Sequence, residues 1–217
     1  NPQSPGGISQ SGNVLEMTAA SSATGPVVAW TEQSGATRVI HVQRWNGTVW
    51  QVVGGGTVAT ATDISDLAIA IDGASIGVTW SQAGTASQDI FIKQLNGATW
   101  QEVAGSASGQ GISNSSQRDY DPTIAWHGGQ LFVAWTQEGV ESSEQSSEIM
   151  ARRFNGVTWE AIEFELGSTS AAASVIHSTQ PRFVSGTSGL SIVWVEDLSR
   201  PDIADRDGIG RLRLPAG

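Results

Sequence analysis

The chain has 217 residues, no cysteine and a formal net charge of −10. Those three facts exclude a disulfide scaffold and a thiolate metal centre. They also disfavour nucleic acid and anionic lipid as partners, since an acidic surface with Lys93 as its one lysine repels phosphate. No apolar run reaches the length of a membrane span, and the length suits one domain able to bury a real core.

Taken in chain order, residues 1–13 read as linker. Gly7-Ile8-Ser9-Gln10-Ser11 is echoed later by Gly111-Ile112-Ser113-Asn114-Ser115. Residue 1 therefore falls just after the place where a fourth strand of a repeat would end. No secretory leader is visible, so it reads as a mature start or a cut. A first apolar strand begins near Glu16. The next strand, Val27-Val28-Ala29-Trp30-Thr31-Glu32, recurs as Gly77–Gln82, Phe132–Gln137 and Ser191–Glu196. Its tryptophan repeats at intervals of 50, 55 and 59 residues. A third strand alternates at Ile40 and Val42, then at Ile90 and Ile92, then at Ile149 and Ala151. An Asn-Gly hairpin closes it in the first three units: Trp45-Asn46-Gly47-Thr48-Val49-Trp50, Leu95–Trp100 and Phe154–Trp159. Asn and Gly accept the positive φ that a two-residue turn needs.

The apolar period is two throughout, and no window carries a helical stripe. Each unit of about fifty residues is a four-stranded antiparallel meander, and such sheets repeated radially are propeller blades. The predicted fold class is all-β: a β-propeller of three full blades plus three strands of a fourth, spanning residues 1–217 as one domain. Approximate blade limits are 8–57, 58–110, 111–169 and 170–217. The fourth unit ends on the strand-like Arg211-Leu212-Arg213-Leu214, without a second hairpin. That leaves a partial ring, or one completed by another copy or by further sequence.

The V-A-W strand and the W-N-G-x-x-W hairpin resemble the repeats of microbial extracellular β-propellers, broadly the sialidase-like and kelch-like group. The resemblance covers nearly the whole chain. It implies the propeller fold and says little of activity, since propellers host enzymes, lectins and scaffolds. The sialidase-type Asp-box, S-x-D-x-G-x-x-W, survives here only in its G-x-x-W half. Its Ser and Asp positions hold Gln43 and Trp45, Lys93 and Leu95, and Arg152 and Phe154.

Four sets of candidate site residues follow. The first strands begin with Glu16, Asp66, Asp121 and Gln180, and first strands line a propeller's channel; Asp66 and Asp121 are the candidate ligand-binding pair there. Trp45 stands where the other units have Leu95 and Phe154, so it is a candidate for stacking on a sugar, with Arg44 beside it. The segment Glu196–Gly208 reads as a long acidic loop. Its Asp205-x-Asp207-Gly208 resembles an oxygen-ligand calcium loop, with Asp202 as a further carboxylate. The insertion Gln137–Glu148 carries four glutamates on a polar loop, where partner binding tends to sit. His41, His127 and His177 lie in no metal-ligand spacing, and no G-x-S-x-G is present.

A regular repeat without a unit-specific catalytic set predicts a non-catalytic extracellular or cell-surface module, binding a glycan or protein partner through the loops of one face. The alternatives are a glycoside-active enzyme using axial carboxylates, and a structural subunit of a surface polymer or homo-oligomer. No cofactor is implied beyond the possible calcium.

Overall fold

The computed structural model describes residues 7–84, 87–139, 146–163, 176–186, 189–200 and 203–214. All regular structure among them is strand. Blade 1 is β1 (Val14–Ser22), β2 (Gly25–Ser34), β3 (Thr37–Trp45) and β4 (Trp50–Ala61). Blade 2 is β5 (Ile64–Asp72), β6 (Ser75–Ala83), β7 (Gln88–Asn96) and β8 (Thr99–Glu102). Blade 3 is β9 (Asp119–His127), β10 (Gln130–Glu138), β11 (Ser147–Phe154) and β12 (Trp159–Ala161). Blade 4 has β13 (Ile176–Gly186), β14 (Gly189–Arg200) and β15 (Ile203–Arg213). Each blade is an antiparallel meander in chain order, and one parallel bridge, Ser147 to His177, links blades 3 and 4. The blades are arranged as in a propeller, with β1 beside β5, β5 beside β9 and β9 beside β13.

One packing rule repeats at each seam. Successive side chains of a strand point to opposite faces, so the second strand of a blade offers two faces. In blade 2, Ile76, Val78 and Trp80 pack against Val27, Ala29, Ile40 and Val42 of blade 1. Leu131, Val133 and Trp135 of blade 3 pack in the same way on Ile90 and Ile92 of blade 2. Ile192 and Trp194 of blade 4 do so on Ala134, Ile149 and Ala151 of blade 3. In blades 2 and 3 the second strand is thus covered on both faces. That explains why Thr79 and Ser81, on the face of β6 opposite Trp80, are fully buried too. Gly77 is where this packing is closest: a Cβ there would come within 2.8 Å of Ile124 Cδ1.

The tryptophans have two jobs. In blades 2, 3 and 4 the first fills a seam and donates its indole N–H to a polar group at the strand end. Trp80 bonds Gln82 Oε1 at 3.1 Å, Trp194 bonds Glu196 Oε1 at 2.9 Å and Trp135 bonds Asp119 Oδ1 at 2.9 Å. The second, after the Asn-Gly turn, ties its blade to the one before. Trp100 donates to Val53 O and Trp159 to Val103 O, at 3.3 and 2.8 Å. Gly54, at φ 63, is required beneath Trp100, because a side chain there would meet the indole directly.

One sequence expectation changes here. Most of Glu196–Gly208 is strand rather than loop: β14 runs to Arg200 and β15 starts at Ile203, paired antiparallel with Asp197 opposite Asp207 and Leu198 opposite Arg206. Asp205 and Asp207 lie on β15. Asp202 lies outside the described residues, as does the insertion between β10 and β11 over 140–145.

Candidate active site

The first strands carry the chemistry, and those of blades 2, 3 and 4 are bulged at the same place. The register of β5 on β6 slips between Ser65 and Ala68, that of β9 on β10 opposite Ala134–Thr136, and that of β13 on β14 between Thr179 and Arg182. At each slip one residue takes a left-handed conformation: Asp66 at φ 54, Asp121 at φ 51 and Gln180 at φ 55. β1 slips at Val14–Glu16. A bulge bends its strand and re-aims the side chain beside it. Non-glycine residues with positive φ store strain and cluster where function needs them.

The bulges of three blades bring Glu16, Asp66 and Asp121 to one pocket of about 280 Å³, with Arg182 of β13 on its wall. Leu67, Pro122 and Ile124 supply its apolar lining. The volume lies near the lower end for small-molecule sites, roughly 300–1,000 Å³.

The three carboxyls are held differently. Asp66 Oδ2 accepts from Ser81 Oγ at 2.6 Å and from Ser65 Oγ at 3.3 Å. Glu16 accepts from the Leu67 N–H and the Thr31 hydroxyl, both at 3.4 Å. Asp121 accepts no hydrogen bond from any described residue. Burial pushes the Glu16 carboxyl above the usual carboxylate range, and the charge of Asp66 adds to the effect while its hydrogen bonds oppose it. Burial raises Asp121 as well, again reinforced by Asp66 and opposed by Arg182 and Arg118. Asp66 thus stands between two carboxyls and favours the protonated form of both.

Beside the pocket, Arg118 lies over the Tyr120 ring, 4.5 Å from its centroid, and pairs with Glu138 at 2.7 Å. A second acidic pair is buried between blades 2 and 3. Asp89 and Asp119 are both fully buried. Ser113 donates to Asp89 Oδ1 at 3.2 Å, and Ser115 to Asp119 Oδ2 at 2.6 Å. Burial raises both carboxyls, and the Asp119 charge raises Asp89 further.

Of the sequence candidates, Asp66 and Asp121 meet in the pocket, with Glu16. Gln180 shares their backbone conformation without lining it, and its place is taken by Arg182. Trp45 and Arg44, on the third strand of blade 1, do not line it. The Trp45 ring packs 5.7 Å from Trp50, as Phe154 packs 5.3 Å from Trp159. Arg182 was not singled out from the sequence. Its signal was available, since it is the register equivalent of Thr18, Ala68 and Thr123, which all line the same pocket.

No family model matches the chain, and no curated protein matches it significantly. Solved structures do. An alpha-L-arabinanase from Penicillium chrysogenum, complexed with arabinobiose, aligns over 85% of this chain and 61% of its own, at 10% identity and TM-score 0.53. A family-32 beta-fructofuranosidase from Bombyx mori aligns over 93% of this chain and 46% of its own, at 10% identity and TM-score 0.55. A thermostable family-43 glycoside hydrolase aligns over 93% of this chain and 72% of its own, at 13% identity and TM-score 0.50. The chain spans less than two thirds of the first two. At such identities the likeness establishes the β-propeller fold. It does not extend to the sialidase-like or kelch-like kinship drawn from the W-N-G hairpin: the propellers matched are glycoside hydrolases of families 43 and 32. The expectation of a non-catalytic binding module is corrected on the same finding, which favours the glycoside-active alternative.

Proposed function

We propose that the chain forms a glycoside-hydrolysing site of the propeller type, with Asp121 as proton donor, Glu16 as the base for water and Asp66 as the charge that tunes both. The observation that carries this reading is the meeting of the three carboxyls, each from a different first strand, in one pocket of single-sugar scale.

The roles follow from how each carboxyl is held. A carboxylate is stabilised by donors. Asp121 has none, and burial and Asp66 raise its affinity for a proton, which suits it to the acid's role. Glu16 has two donors, which favour its ionised form and fix its orientation. In the reaction the Asp121 proton passes to the glycosidic oxygen as the C–O bond breaks and its electron pair goes to that oxygen. Water adds to the anomeric carbon and gives its proton to Glu16. Arg182, beside Asp121, would bind hydroxyls of the sugar, whose apolar face would rest on Leu67, Pro122 and Ile124. A pentose or fructose unit suits the volume, and the matched structures include an arabinanase and a beta-fructofuranosidase.

The test is release of free sugar from arabinan, xylan and fructoside oligosaccharides by the purified chain. Asp121→Asn and Glu16→Gln, each verified as folded by circular dichroism, are run beside it. Turnover lost in both variants supports the reading. No turnover across the panel, or a full rate in Asp121→Asn, overturns it.

A further inference from the structure

The residue that follows the seam tryptophan is Thr31 in blade 1, Ser81 in blade 2, Thr136 in blade 3 and Val195 in blade 4. The axial residue of the same blades is Glu16, Asp66, Asp121 and Gln180. A hydroxyl therefore occurs in the three blades that carry a carboxyl, and an aliphatic side chain in the one that does not. In blades 1 and 2 the two groups are bonded: Thr31 donates to Glu16 at 3.4 Å and Ser81 to Asp66 at 2.6 Å. Thr136 is the register equivalent in blade 3, opposite Tyr120 as Ser81 is opposite Ser65. Yet its Oγ1 is buried without a hydrogen-bond partner, in a residue that is 0% exposed, and Asp121 accepts no bond among the described residues.

A buried hydroxyl left unpaired is unfavourable, and it persists where another state of the site satisfies it. We infer that Thr136 is a positioning residue for Asp121, donating its hydroxyl to the Asp121 carboxylate once that carboxyl has lost its proton. A protonated Asp121 carboxyl has no need of that donor. The paired arrangement, already formed in blades 1 and 2, belongs to the ionised one. The other charged or titratable groups around Asp121 are Asp66, Glu16, Arg182, Arg118 and Tyr120. None of these presents a neutral buried hydroxyl from β10. The catalytic consequence rests on the hydrolase reading above; the pairing itself does not.

Thr136→Val is the sharp variant, because valine keeps the branched shape of threonine and lacks only the hydroxyl. Thr136→Ala serves if valine misfolds, and Thr136→Ser restores the donor. The first readout needs no substrate: carbon-13 NMR titration of the Asp121 side-chain carboxyl, assigned by its absence in Asp121→Asn. Without the hydroxyl the titration midpoint moves to higher pH, and with serine it returns. An unchanged midpoint in folded Thr136→Val overturns the inference. The second readout is kinetic. Thr136→Val lowers kcat about tenfold, as loss of one hydrogen bond to a charged group implies. KM stays close to its original value, and the alkaline limb of the pH–rate profile moves upward. A tenfold loss with an unmoved limb marks Thr136 as merely structural and also overturns it. If the unsubstituted chain hydrolyses nothing while the NMR midpoint still shifts, the hydrolase reading fails and the pairing stands.

Discussion

The seams between blades and the axial rim are built from the same four repeats, yet they obey opposite rules. At the seams each blade repeats its neighbour. Trp80, Trp135 and Trp194 occupy equivalent places, and the aliphatic residues two and four positions before them stay aliphatic. At the rim each blade differs, with Glu16, Asp66, Asp121 and Gln180 at one position and Thr18, Ala68, Thr123 and Arg182 at another. Seam packing is a local requirement that each pair of blades meets alone, so repetition satisfies it. A site needs unlike groups facing one point, so it forms where the repeats diverge.

The contrast can be broken in order of expected effect. At the rim, Asp121→Asn should lower kcat by about 10²–10⁴-fold, the usual contribution of a general acid, with the thermal midpoint little changed. At a seam, Trp80→Ala should do the reverse. It removes a side chain that is 2% exposed and should cost about 3–5 kcal/mol of stability, read from a urea midpoint, with any surviving folded fraction still active. An equal loss of activity and stability in both variants would show that rim and seam are not separable.

The buried pair of Asp89 and Asp119 sharpens the boundary between them. Both folded-state carboxyls are raised by burial, so the folded chain binds more protons than the unfolded chain between the ordinary aspartate range and the raised values. Stability must then fall as pH rises through that window and level off above it. Asp89→Asn keeps an acceptor for Ser113 and removes one titrating group, so a plot of melting temperature against pH should become flatter. A steeper plot would mean that Asp89 is ionised in the folded chain. The smallest effect is expected at the surface. Arg118 and Glu138 are 52% and 37% exposed at their side chains, so Glu138→Gln should cost less than about 1 kcal/mol, and less still at high salt.

Much of the seam was legible beforehand. The period-two alternation at Ile76, Val78 and Trp80 is a property of strand geometry, and its recurrence identifies the blade without reference to neighbours. The carboxyls of the rim were legible as polar strand starts, though not their grouping. That depends on bulges whose positive φ at Asp66, Asp121 and Gln180 leaves no compositional mark. Glu196–Gly208 was misread because a run of charged residues carries no apolar alternation to mark a strand. Trp45 looked exceptional because its register partner is tryptophan in each of the first three units, while its own position varies among Trp, Leu and Phe.

Chain chemistry alone determined that this protein folds as repeated sheet units joined by indole-filled seams, because alternation and turn residues act over a few positions. Tertiary structure decided which side chains meet at the axis. Only the stacking of blades brings residues fifty or more positions apart to a common point, and only burial there gives Glu16 and Asp121 the raised proton affinity on which acid–base chemistry depends.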